Sequence, residues 1–233
     1  MILLVSGIPV EVCKKDIKGM RLYVKPPDGK VMVTAPVTMS NDVIEQFVWT
    51  KADWIKEQVD KFKNYQRKTS REYVSGETLY LWGKKYNLQI KYGKRGSVVL
   101  SDDTVVLTTT KGSTIDQRKK TVNNWYRKLL EAEIEQVLPK WEKKTNLKIT
   151  SWYTRYMTSR WGSCLPKKGR ICLNIQLAKK SPECLDYVVL HELIHLIEKK
   201  HNERFKMLMT KYMPTWRKVK NVLNENILDF LEK

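Results

Sequence analysis

The three histidines of this 233-residue chain all fall within eleven residues, as His191, His195 and His201. Two of them bracket the run His191-Glu192-Leu193-Ile194-His195. Residues four apart on an α-helix lie one turn apart on the same face, so these two imidazoles can grip one metal ion. Glu192 sits beside His191 on the same helix, placed to take a proton from a metal-bound water without being a ligand itself. A catalytic zinc usually takes three protein ligands and keeps its fourth position for water. His201, six residues after His195, is the candidate third ligand. That spacing matches the metzincin pattern, but Glu198 stands where that pattern has glycine, so the turn is built differently. The bland alternative is two ordinary helix histidines with satisfied hydrogen bonds, and the third histidine weighs against it. The chemistry implied is hydrolysis, with Glu192 as catalytic base, Zn2+ as cofactor, and a carbonyl or phosphoryl centre as electrophile. The same ligands accept nickel, cobalt and copper, and the residues do not fix the bond attacked.

The elements that must position these groups are visible as periodicity. Ser181 is a good N-cap, Pro182 suits the first helical position and Glu183 suits the positive end of the dipole. The active helix is expected to run from there to about Lys200. A helix over about 202–212 follows and stops at Pro214, and a last one spans about 215–231. Upstream, a strand is expected from Leu147 to Tyr156. A second, Arg170 to Leu177, places Ile171, Leu173, Ile175 and Leu177 on one face. Its clean alternation suggests the edge of a sheet above the metal cleft, where an extended peptide can pair. A long helix from about Asp116 to Lys144 carries Pro139, which is expected to kink or end it.

Residues 1 to about 37 read as β structure, with a hairpin of Leu22–Val24 and Val31–Val33 around Pro26-Pro27-Asp28-Gly29. Asp42 and Glu45 form a capping box for one helix, with Ile44, Val48, Ile55, Val59 and Phe62 on one face and the polar stretch Tyr65 to Ser70 as its end. Four short strands follow between 72 and 109, around Tyr80-Leu81-Trp82, Leu88-Gln89-Ile90, Val98-Val99-Leu100 and Val105-Val106-Leu107. No internal repeat is visible. A composition shift at Lys111-Gly112-Ser113 divides the chain into an N-terminal β-rich region with one helix, 1–112, and a catalytic domain, 113–233. The fold class is α+β.

Hydrophobic residues make up 42% and aromatics 10%, the balance of a packed globular protein. No stretch approaches the roughly 20 apolar residues of a membrane span, so no membrane partner is expected. The N-terminus lacks a basic leader, which points to a cytoplasmic protein. The four cysteines, Cys13, Cys164, Cys172 and Cys184, form no C-x-x-C pair and read as reduced thiols. The net charge is +19, from 44 Lys plus Arg against 25 Asp plus Glu. It lies in scattered pairs, with one run of three at Arg118-Lys119-Lys120. That distribution fits a solvated surface and at most weak, non-specific nucleic-acid binding. Oligomeric state is not legible.

Three pieces together resemble the YgjP-like metallopeptidases, relatives of the SprT-like zincins. They are Arg160-Trp161-Gly162-Ser163-Cys164 ahead of Leu173-Asn174; Leu185 to His195 followed by His201 and Phe205; and an N-terminal hairpin with Ala52-Asp53-Trp54-Ile55 and Tyr73-Val74-Ser75-Gly76-Glu77. The resemblance implies a C-terminal zincin-like domain that binds zinc through His191, His195 and His201, with Glu192 as base and a peptide or protein as substrate. The family varies the turn residues, so Glu198 is no objection. It leaves open a metal-dependent hydrolase of nucleotides or phosphoanhydrides, and a nucleic-acid-associated protease of the SprT-like kind. A binding-only zincin is opposed by the presence of Glu192. Arg160 to Cys164 reads as structural first and as a cleft element second.

Overall fold

The computed structural model describes residues 2–25, 29–66 and 71–225. Helices and sheets make an α+β fold, as expected. The described residues divide into two compact units, one within Met1–Ser70 and one within Arg71–Phe230.

In the first unit, β1 (Ile2–Val5) and β2 (Ile8–Lys15) are joined through Ser6 and Gly7, both at positive φ. Such a turn matches the natural twist of paired strands. β3 (Arg21–Lys25) and β4 (Lys30–Pro36) form the expected hairpin, with Leu22 opposite Val33 and Val24 opposite Val31. Its Pro26 to Asp28 turn lies outside the described residues. The sheet order is β1-β2-β4-β3, with β2 parallel to β4. Val10, Val12, Val31 and Val33 form one core with Ile44, Val48, Ile55 and Val59.

Those last four come from two helices, α1 (Asn41–Trp49) and α2 (Ala52–Gln66), where one was expected. The Thr50 hydroxyl donates to the Phe47 carbonyl at 2.7 Å, the acceptor that the Lys51 amide would use in a continuous helix. Lys51 N–H bonds to Val48 O instead. The N-cap is Ser40, with no side-chain cap bond, so the Asp42–Glu45 capping box is not made. The expected roles of the Phe62 side chain and of residues 67–70 lie outside the described residues.

The second unit opens with the four expected strands, β5 (Thr78–Leu81), β6 (Lys84–Tyr92), β7 (Ser97–Ser101) and β8 (Thr104–Thr109), in the order β5-β6-β8-β7. α3 (Ile115–Thr145) begins at a capping box between Thr114 and Gln117 and contains Pro139. It continues past the proline and stops at Asn146, whose left-handed backbone ends it. A three-stranded sheet follows, β9 (Ser151–Arg155), β10 (Gly162–Leu165) and β11 (Arg170–Asn174). Then come a 3-10 turn over Ile175–Lys179 and the helices α4 (Pro182–Ile194), α5 (Glu203–Tyr212) and α6 (Trp216–Asn224). The rest of the last expected helix lies outside the described residues.

Ahead of α4, the structure departs from the sequence reading at three places in this unit. Leu79, Leu81, Leu88, Val105 and Leu107 share one core with Val122, Tyr126, Leu130 and Ile134 of α3, so residues 71–112 belong with the C-terminal half rather than with the N-terminal region. β9 begins at Ser151, not Leu147, because side chains take the earlier amides: Thr145 Oγ1 accepts from Leu147 and Glu142 Oε1 from Ile149. β11 lies in the middle of its sheet, in the order β10-β11-β9, and not at the edge. Its alternation misled because Cys172 and Asn174, the polar half of the pattern, are buried like Ile171 and Leu173. The strand stops at Asn174, whose side chain accepts the Gln176 amide and starts the 3-10 turn. Ile175 and Leu177 are buried within that turn.

Candidate metal centre

α4 enters through Ser181 and Pro182 as expected and is buried along most of its length. It ends at Ile194, a turn and a half before the expected end near Lys200. His195 is its C-cap and keeps right-handed helical backbone, φ −63° and ψ −14°, so the two imidazoles stay one turn apart. The chain then tightens, with Leu196 and Ile197 donating to the carbonyls of Leu193 and Ile194. This turn leads to His201, just before Asn202, whose side chain caps α5 by accepting the Phe205 amide.

The three histidines meet. His191 Nε2 lies 3.1 Å from His195 Nε2 and 3.0 Å from His201 Nε2. All the candidate ligand atoms lie within 4.8 Å of one another. Nitrogens bound to one tetrahedral zinc at about 2.1 Å stand roughly 3.4 Å apart, so the donor set and its spacing fit a divalent ion. Two contacts orient the rings. His195 Nδ1–H donates to the Glu198 carbonyl at 2.9 Å, which leaves Nε2 with a free lone pair. Tyr187, one turn before His191, puts its hydroxyl 3.5 Å from His191 Nδ1. Beneath them the Phe205 ring, 3% exposed, lies 4.8–4.9 Å from all three imidazole centroids.

Burial sets the electrostatics. It pushes His191 down to about 3, helped by the charges of His195, His201 and Lys220. The ring is therefore neutral, as a ligand must be. His201 is also lowered, first by burial and then by His195 and Lys220. Glu192 is 4% exposed; burial pushes it up to about 8 against the opposing charge of Arg160. Its Oε2 is buried with no hydrogen-bond partner among the described residues. A buried, unpaired carboxylate atom is costly.

The strand over this carboxylate is β10. A Cβ added to Gly162 would lie 2.6 Å from Glu192 Oε1, so glycine is what gives this carboxylate its room. Cys164, two residues on and on the same strand face, is pushed up to about 11 by burial and by Glu192. The Arg160 to Cys164 segment is thus a wall of the site, where the sequence favoured a structural role. Tyr187 was missed, although its position four residues before His191 on α4 is a signal the helical spacing carries. The Glu198 carbonyl leaves no trace in residue type.

Residues 20–226 match the family model described as YgjP-like, metallopeptidase domain. A stretch of 86 residues is 33% identical to vacuolar protein-sorting-associated protein 25 of Schizosaccharomyces pombe (strain 972 / ATCC 24843), covering 33% of this chain. The match spans 49%, about half, of that curated relative's length. Among solved structures, the crystal structure of the metallopeptidase zymogen of Pyrococcus abyssi abylysin is similar with a TM-score of 0.37 and 19% identity. That similarity covers 43% of this chain and 97% of the other.

Proposed function

The chain belongs to the YgjP-like metallopeptidase family, and we propose that it is a zinc-dependent peptidase that holds its metal on His191, His195 and His201 and uses Glu192 as general base. The observation that carries this reading is the convergence of three imidazole nitrogens, next in the chain to a buried carboxylate whose Oε2 has no hydrogen-bond partner among the described residues. A bound divalent ion would supply Lewis acidity, which makes water nucleophilic near neutral pH and polarises a carbonyl. The rest is work for the chain. His191 stays neutral because it is buried, and His195 is held in one tautomer by Glu198. Glu192 gains basicity from its burial, which brings its pKa toward the working pH where a base is most effective. Gly162 lets the carboxylate sit under β10.

The unpaired side of β10 is the natural seat for an extended peptide, since β11 occupies the other side. The peptide edge thus passes from β11, where the sequence put it, to β10. Among the described residues no helix is long and apolar enough to cross a membrane. Four free thiols suit the reducing cytoplasm.

The test is hydrolysis of casein, of nucleoside triphosphates, and of protein with single-stranded DNA by the zinc-loaded chain, with Glu192→Gln as control. The expected result is casein cleavage that the variant abolishes. Glu192-dependent cleavage of triphosphates alone would replace this reading with the phosphoanhydride hydrolase.

A further inference from the structure

The loop between β9 and β10 is fixed by one residue. Asn174, 1% exposed, accepts the Met157 amide on Oδ1 and donates through Nδ2 to the carbonyls of Met157 and Arg160. Its own amide donates to Trp161 O at 2.9 Å, which extends the β10–β11 ladder by one pair. Trp161 packs against the core of the unit. The backbone of Arg160 is therefore held on both sides, while its side chain is exposed. The guanidinium forms no ion pair or hydrogen bond among the described residues, and five N–H donors are left for a ligand.

Its place is specific. Arg160 stands two residues before Gly162, with a bend at Trp161 between them, and Gly162 lies against the Glu192 carboxylate. The charge of Arg160 acts on Glu192 accordingly. A peptide lying along the open side of β10 would run from the Glu192 region directly to this arm. No acidic side chain of the described residues occupies the guanidinium, so a carboxylate of the substrate can. Lys220 of α6 adds a second positive charge that acts on His191 and His201.

We propose that Arg160 is the specificity arm of this site and binds a peptide carboxylate close to the scissile bond, so that acidic peptides are the preferred substrates. This rests on the peptidase reading above. The guanidinium grips a carboxylate through two parallel N–H bonds, a geometry that a lysine ammonium does not reproduce. Asn174 acts through Arg160 as a positioning residue.

The test uses the zinc-loaded full chain and matched fluorogenic peptides that carry Asp, Ala or Lys at one varied position, each with a free or an amidated C-terminus. The wild type should favour the acidic peptide by roughly tenfold in kcat/KM, mainly through KM. Arg160→Ala should erase that preference, so that the Asp and Ala peptides are cleaved by the variant with kcat/KM values within about twofold of each other, while Arg160→Lys should restore part of it. Lys128→Gln, an exposed lysine on α3, should change nothing, which separates a local arm from the general +19 charge. The free and amidated peptides tell a terminal carboxylate from a side-chain one.

Binding of the same labelled peptides to Glu192→Gln protein, read by anisotropy, needs no turnover. A binding preference that Arg160→Ala removes, without cleavage by the wild type, would overturn the peptidase reading and keep the arm. No acid preference in binding, or an equal loss on all peptides with zinc retained, would overturn the arm.

Discussion

The sheets β1-β2-β4-β3 and β5-β6-β8-β7 are built alike. Each starts with an antiparallel hairpin closed by two residues at positive φ, Ser6-Gly7 in one and Trp82-Gly83 in the other. Each then runs a parallel ladder of equal length, Val10 to Lys15 beside Val31 to Pro36 and Asn87 to Tyr92 beside Thr104 to Thr109. Each ends with an antiparallel hairpin onto the inner strand. They differ in what they hold. The first closes its own small core with α1 and α2. The second joins the core of α3 and α4, and its turn amides donate to the Ala178 and Lys179 carbonyls, just before α4 begins. One topology thus serves as a self-contained unit and, again, as a buttress for the helix that carries His191 and ends at His195. The strand arrangement does not decide which; the residues on the outer face and the turn do. Ile2 and Leu4 are exposed at the positions where the second sheet has Thr78 and Tyr80, and the Tyr80 carbonyl accepts from Tyr126 of α3.

The largest contrast between the regions should appear in catalysis. Glu192→Gln keeps the size of the side chain but cannot take a proton, and should lower peptide hydrolysis by about 10²–10⁴-fold with zinc content unchanged. His201→Ala should lose zinc instead, because His191 and His195 alone do not close a tetrahedral site. Substitutions in the first sheet should leave both quantities alone. Metal analysis and rates on purified variants decide this; loss of zinc from Glu192→Gln would make that residue a ligand.

A pair of glycines sharpens the contrast. Gly162→Ala drives a methyl to 2.6 Å from Glu192 Oε1 and should cost about 1–3 kcal/mol as overpacking, with a clear loss of kcat. Gly19→Ala in the first unit meets nothing within 4 Å and should be close to neutral. Equal melting shifts for the two would mean that β10 yields easily and that Gly162 is not what gives the base its room.

The metal-free protein offers a pH test confined to the second region. Glu192 is raised from 4.5 to about 8 on folding. Its contribution is therefore fully present below pH 4.5 and is lost as pH rises through 8. His191 is lowered from 6.5 to about 3, so its contribution is present above pH 6.5 and is lost as pH falls toward 3. Comparing metal-free wild type with metal-free Glu192→Gln cancels the histidine. The two should melt alike near pH 4, and the variant should melt higher at pH 9. A difference on the order of a few kcal/mol is the ceiling; a gap that does not change with pH would refute the buried-acid account.

Local geometry was legible in the sequence where a residue's own type carries it. His191, Glu192, His195 and His201, the Ser181-Pro182 helix start, the β3–β4 register and the four strands of the second sheet all depend on spacing and turn residues. What escaped depends on partners distant in the chain. The duplication of the sheets lies in turn geometry and register while the outward side chains diverge, so no repeat shows. The split of α1 from α2 turns on one threonine hydroxyl competing for a carbonyl. The edge strand was misplaced because Cys172 and Asn174 look polar and are buried. The Asn174 side chain spends its hydrogen bonds on a loop fourteen and seventeen residues upstream, which no local pattern records.

The smallest expected effect tests the buttress itself. Gly7 and Gly83 occupy the same place in the two hairpins, at φ +76° and +81°. Replacing either with alanine forces a side chain into left-handed backbone, at about 1–2 kcal/mol, and each unit should lose that much on its own. The surroundings differ: a Cβ at Gly7 meets nothing within 4 Å, whereas one at Gly83 reaches Ser181 at 3.4 Å. Ser181 is the N-cap of α4, so a turn that relaxes away from left-handed strain at Gly83 shifts its contact with the start of the helix that carries His191 and ends at His195. Gly83→Ala should therefore weaken zinc binding by a few fold, roughly the effect of misplacing a ligand's support slightly, while Gly7→Ala leaves it untouched. Competition titration with a zinc chelator separates the two. If both variants bound zinc like the wild type, the second sheet would be an attached layer and not a support. If Gly7→Ala weakened binding as much as Gly83→Ala, the first sheet would have to act on the site as well, and the division of labour between the two sheets would fail.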